Sequence, residues 1–286
     1  MTNELSSFPP IPEPTGAPLE QPQKPTVPLW RWWVFLFIIG SSPLLAALSS
    51  ASRGPNEQIQ LPKTIPLLLL FCAVQMVAFG VVWALAWIWT RPNRDDLLLR
   101  WKDGWKMVAL GALYSVGMRL GLLVVVIALA TVILTFLAIL GYKPEAMIEA
   151  YKNSQPDMSK IFGSVFSQGD PLYRFLMITL ISFVVAGLRE ELWRSATMLG
   201  LQRVAPAHWS PATKNVLALG ASSLLFGMGH WYQGVAGVVL TSVLGVALGG
   251  IMLYHRSVWP AIIAHGCFDV ASFVMMSLVG KNGVGG

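Results

Sequence analysis

The chain has 286 residues, of which 55% are hydrophobic and only 12% charged, with a mean hydropathy of +0.60. That balance excludes an ordinary soluble protein and leaves no space for a sizeable soluble domain, so the chain reads as all-α: a polytopic integral membrane bundle of about seven or eight transmembrane helices. The net charge of +6 does not describe a nucleic-acid surface, because the basic residues stand beside hydrophobic spans, as in loops held on the cytoplasmic side of a bilayer. The two cysteines, Cys72 and Cys267, both fall in apolar runs, which excludes a disulfide framework and a Cys-rich metal site.

Residues 1–29 carry eight prolines between Pro9 and Pro28 and lack apolar periodicity, which predicts a disordered cytoplasmic tail. Residues 30–141 are expected to hold the N-terminal membrane helices. The first span, Trp30–Leu48, opens with Trp30, Arg31, Trp32 and Trp33, side chains that settle at a headgroup boundary, and the second, Pro66–Thr90, ends with Trp87 and Trp89. A basic connection comes next, with Arg91, Arg94, Arg100, Lys102 and Lys106. Leu97, Leu98, Trp101 and Trp105 recur within it at helical spacing, which predicts an interfacial helix near 94–106. Met107–Leu140 is too long for one upright helix and contains Arg119, so it is either a steeply tilted span or, the preferred reading, an interfacial piece leading into a span over Leu120–Leu140.

Residues 142–171 form the longest polar connection, yet Met158, Ile161, Phe162, Val165 and Phe166 keep an amphipathic pattern that predicts a helix resting on the membrane. Residues 172–280 are expected to form the functional core. It opens with a span over Leu172–Leu201, continues through a basic link containing Pro206 and Pro211, and ends with spans over Asn215–His230, Val235–Tyr254 and Val258–Val279. The positions of the basic links place the N-terminus in the cytoplasm.

The run Arg189-Glu190-Glu191-Leu192-Trp193-Arg194 puts four charges into an otherwise apolar helix. Each costs at least ~2.5–3.5 kcal/mol at such depth, so it needs either a route to the interface or a polar partner. His230 ends the next apolar segment, and His265 stands on the last one with Asp269 at i+4, on the same face. His208 and His255 lie in basic links and read as surface residues. Glu190, Glu191, His230, His265 and Asp269 occupy three helices, and a shared polar cavity satisfies them together where separate burial would not. Glu190 with Arg194 at i+4 is equipped to hold a carboxylate that accepts a proton from water, the requirement of general-base hydrolysis.

These residues resemble the CPBP intramembrane endopeptidases, which include type II CAAX prenyl endopeptidases and bacterial immunity-type relatives. The marks are the Glu190-Glu191 pair followed by Arg194, Phe226 with His230 four residues later, and His265 with Asp269, within the run Ser257-Val258-Trp259-Pro260-Ala261-Ile262-Ile263-Ala264-His265. The resemblance implies a glutamic peptidase of a bacterial cytoplasmic membrane, acting on a membrane-embedded or lipidated protein, including a prenylated CAAX-type one. In it the Glu pair and His230 activate water, His265 with Asp269 stabilises the oxyanion, and Arg194 and Phe226 support the site. Two features depart from the family: two residues, not three, separate the Glu pair from Arg194, and Asp269 stands where Asn is also common. The shortened spacing leaves the base open between Glu190, which is favoured, and Glu191.

No cofactor is favoured. Two other functions share the same residues: a zinc hydrolase with His230, His265 and Glu190 as ligands, and a non-enzymatic transport, immunity or scaffold protein using the polar cavity.

Overall fold

The computed structural model describes residues 27–51, 62–102, 104–141, 143, 145, 149 and 170–282. The proline-rich tail and the amphipathic helix within 142–171 fall almost wholly outside the described residues. Among the described residues the regular elements are all helices, in the order α1 (Leu29–Ala51), α2 (Ile65–Thr90), α3 (Trp105–Ile139), α4 (Pro171–Leu180), α5 (Arg189–Val204), α6 (Pro211–Met228), α7 (Gly234–His255) and α8 (Trp259–Asn282). Between α4 and α5 the chain stays helical through a π-wound stretch, Ile181–Leu188, and a 3-10 turn, Trp231–Gln233, joins α6 to α7.

Six of these units are long and apolar enough to cross a membrane: α1, α2, α3, the continuous Pro171–Val204, the Trp231–His255 unit and α8. This is an integral membrane protein. Its outward faces carry exposed Phe37, Val124 and Ile133, side chains suited to hydrocarbon. The count is below the expected seven or eight because α6 is not among the six. It carries Lys214, Asn215, Ser222 and Ser223, and Ser222 and Ser223 are buried inside the bundle.

Local chemistry starts these helices where the sequence changes character. Asp170 accepts a hydrogen bond from the Leu172 amide at 2.9 Å with Pro171 at the first helical position, and Ser210 does the same for Thr213 at 3.1 Å ahead of Pro211. Inside α1, Pro43 lacks an N–H and so leaves the Ile39 carbonyl without its i+4 donor. The Trp193 indole donates to that oxygen at 2.8 Å, which ties α1 to α5.

Two expectations for the N-terminal half need correction. Residues 94–102 form turns and an extended strap in place of an interfacial helix. Consecutive strap carbonyls accept from other elements: Leu97 from Ser195 Oγ, Leu98 from the Val258 amide at 2.9 Å, Leu99 from the Trp259 indole at 3.0 Å and Arg100 from Ser257 Oγ at 2.9 Å. Carbonyls committed in this way cannot close an i+4 ladder, so the helical spacing of Leu97, Leu98 and Trp101 has another cause. Leu97 packs into the core beside Trp193 and Ala196 while Trp101 faces outward against Trp259.

The second correction concerns α3, a single 35-residue helix with no interfacial break at Arg119. Arg119 is accommodated internally. It donates to the Phe268 carbonyl and to Ser272 Oγ at 3.4 Å, and its guanidinium lies 4.3 Å from the centre of the Phe268 ring. The Arg therefore joins α3 to α8 and needs no boundary of its own. Gly111 permits that approach, since a Cβ there would lie 2.6 Å from Ile263 Cβ and 2.9 Å from the Pro260 carbonyl.

Candidate functional site

The Glu pair sits directly after the π-wound stretch, whose wider winding rotates α5 relative to α4. Adjacent residues on the resuming α-helix point about 100° apart. Glu190 and Glu191 therefore face different surroundings.

Glu191 points into the protein and is fully buried. Its Oε1 accepts from His265 Nδ1 at 2.7 Å, and its Oε2 is paired with Arg194 Nη1. The i,i+3 separation still keeps Glu191 and Arg194 on one helix face, so the shortened spacing does not break the pair. The buried Arg194 guanidinium also lies 4.2 Å from the centre of the Phe226 ring. Its Nε and Nη2 have no hydrogen-bond partner among the described residues, so the aromatic face is the main compensation on that side. On the other edge of His265, Nε2 stands 3.7 Å from Asp269 Oδ2. Arg194, Glu191, His265 and Asp269 thus form one chain of groups running from α5 to α8.

Glu190 faces a cavity of about 440 Å³. α1 contributes Ser42, Pro43 and Ala46 to its wall, α2 contributes Gln75, Ala78, Phe79 and Val82, and α5 contributes Arg189, Glu190 and Trp193. Phe226, Gly229, His230 and Tyr232 complete it. Arg189 bridges two of these elements, donating from Nη2 to Glu190 Oε1 at 2.9 Å and from Nη1 to Gln75 Oε1 at 2.7 Å. The other oxygen, Glu190 Oε2, is buried and without a hydrogen-bond partner among the described residues. It is an acceptor that the protein leaves uncommitted.

His230 lies just beyond the end of α6, where its Nδ1 is 2.9 Å from the Phe226 carbonyl. A carbonyl only accepts, so Nδ1 carries the proton and Nε2 presents a lone pair. Phe226 separates the two arrangements, its ring edge-on to His230 at 4.7 Å and to His265 at 6.1 Å. Gly227 lets α7 close behind it, since a Cβ there would lie 2.5 Å from the Val238 carbonyl and 2.0 Å from Ser242 Oγ.

Residues 172–271 match the family model described as Type II CAAX prenyl endopeptidase Rce1-like. This segment is similar to that family. Comparison with curated proteins and with solved structures gives no match. The matched segment contains Glu190, Glu191, Arg194, Phe226, His230, His265 and Asp269, whereas α1, α2 and α3 lie outside it.

The structure brings these residues together as two neighbouring groups. Glu190 and His230 share the cavity, while Glu191, Arg194, His265 and Asp269 form the buried chain, and His265 and Asp269 are not part of the cavity wall. The set His230, His265 and Glu190 does not converge either: among the described residues, no three His, Cys, Asp or Glu side chains are arranged to hold a metal ion. Sequence reasoning missed Gln75 and Tyr232. Gln75 had a signal, being the one amide in an otherwise apolar 26-residue helix, where a polar side chain needs a partner. Tyr232, beside two other polar or aromatic residues in a turn, had none.

Proposed function

We propose that this protein is an intramembrane peptidase in which Glu190, assisted by His230, activates the water that cleaves a peptide bond of a membrane-associated protein. Protease activity in general is what the Rce1-like match supports. The observation that carries the finer reading is that Glu190, whose Oε2 has no hydrogen-bond partner among the described residues, lines one cavity with His230.

In this reading Arg189 fixes one oxygen of Glu190 while the other takes a proton from water. His230 Nε2 accepts the second hydrogen of that water and so aims its oxygen. The carboxylic acid formed on Glu190 then returns the proton to the departing amine. Glu191 is a positioning residue, held between Arg194 and His265. Mainly apolar walls from α1 and α2 suit a hydrophobic peptide segment, and a prenylated CAAX-type C-terminus is the substrate class proposed. The N-terminus is proposed to be cytoplasmic.

The test reconstitutes the full chain in phospholipid vesicles with a farnesylated, internally quenched peptide that ends in a free carboxylate, and separately with an unlipidated transmembrane peptide. Glu190→Gln is expected to lower cleavage by about 10²–10⁴, the usual contribution of a general base, with unchanged folded yield. A chelator is expected to leave the rate unchanged. Normal cleavage by both Glu190→Gln and His230→Ala overturns the assignment. Loss with chelator and recovery with zinc transfers it to the metal-dependent alternative.

A further inference from the structure

Addition of water to a peptide carbonyl moves negative charge onto the carbonyl oxygen, and in a membrane cavity that charge needs a donor fixed in advance. Most N–H donors around Glu190 are already committed. His230 Nδ1 serves the Phe226 carbonyl, the Trp193 indole serves Ile39, and Arg189 spends one N–H of each Nη on Glu190 and Gln75 and is held there by both. His265 Nδ1 serves Glu191, and Nε2 faces a carboxylate, outside the cavity wall. The Gln75 amide is one guanidinium further away, beyond Arg189.

Tyr232 differs from all of these. It lines the cavity with Glu190 and His230, and its ring lies 5.9 Å from the His230 ring, inclined by 33°. Its hydroxyl accepts from Gln233 Nε2 at 2.9 Å and donates to no group among the described residues. A phenol carries one proton, so accepting from Gln233 leaves that proton free to point elsewhere. The 3-10 turn Trp231–Gln233 is short and directly follows His230, so the water-orienting imidazole and the phenol are carried on one rigid piece of backbone. Gln233 is itself confined: a Cβ on Gly237 would lie 2.3 Å from Gln233 Cβ.

We propose that Tyr232 is a catalytic residue whose hydroxyl donates the hydrogen bond that stabilises the oxyanion formed when water adds to the scissile carbonyl. The inference rests on the peptidase reading above. In the step, the water oxygen forms a bond to the carbonyl carbon, the C=O π pair moves to the oxygen, and the water proton passes to Glu190. Tyr232 keeps its proton and only shares it with the oxyanion. Collapse restores C=O, breaks C–N, and sends the Glu190 proton to the amine nitrogen, so the sum is peptide plus water giving acid plus amine.

Binding of a matched pair of ligands tests this without turnover: an apolar peptide with an intact amide, and the same peptide with a phosphinate in place of that amide as a tetrahedral anion. Both are measured on full-length protein in phospholipid nanodiscs. Wild type is expected to prefer the phosphinate, and Tyr232→Phe to lose about 10²-fold of that preference while binding the amide unchanged, in line with removal of one oxyanion donor. With the cleavable peptide, kcat falls by a similar factor and KM stays. A Tyr232→Phe protein that keeps the full preference overturns the role of Tyr232 alone. A wild type that binds both ligands equally overturns the peptidase reading beneath it. Equal melting temperatures of the two proteins exclude a folding effect, since only one oxygen has been removed.

Discussion

Glu190 and Glu191 are neighbours in sequence and opposites in surroundings. Glu191 has both oxygens taken, by His265 and Arg194, and is fully buried, whereas Glu190 lines a cavity with one oxygen held by Arg189 and the other without a hydrogen-bond partner among the described residues. A carboxylate with both oxygens saturated is a structural tie, and one with a spare acceptor is available for chemistry. Two identical side chains thus differ in surroundings because a one-residue step turns about 100° around the helix.

The comparison is tested most severely by exchanging which carboxylate is neutralised. Glu190→Gln is expected to remove nearly all cleavage, about 10²–10⁴-fold, while thermal unfolding followed by tryptophan fluorescence in detergent stays at the wild-type midpoint. Glu191→Gln should do the reverse, lowering the midpoint while the folded fraction retains measurable cleavage. If Glu191→Gln alone silenced a fully stable protein, the assignment of base and tie would be inverted.

Next in size is Arg194→Met. Removing one member of a buried ion pair leaves Glu191 uncompensated, at a cost of about 3–5 kcal/mol. Adding Glu191→Gln to it should recover part of that loss. A double variant less stable than the Arg194→Met single variant would show that Glu191 does not depend on Arg194. The smallest effect is expected at Gln75, which touches Glu190 only through Arg189. Gln75→Leu should lower kcat by roughly tenfold with KM unchanged, as for a group that orients another catalytic group. An unchanged kcat would place α2 outside the working site.

The two regions also account for both His230, in the cavity wall, and His265, in the buried chain. They need not touch, because Phe226 contacts both rings and each imidazole answers to a different Glu. A search for one converging cluster merges two sets that meet only at an aromatic ring.

Hydropathy alone was enough to establish a helical membrane protein, because a bilayer accepts few other backbones. The charges at 189–194 and the His265-Asp269 spacing pointed to the stretch that matches the family model, because unpaired polar groups are costly in an apolar helix and i,i+4 neighbours share a face. Those are properties of one segment at a time. The tertiary structure decided what depends on two segments meeting: the strap at 94–102 whose carbonyls serve α5 and α8, Arg119 satisfied by α8, and Gln75 reaching Arg189 from a helix outside the matched segment. It also decided which Glu faces the cavity. That depends on the rotation imposed by the π-wound Ile181–Leu188 and by packing across α8, and neither leaves a periodic trace in the sequence.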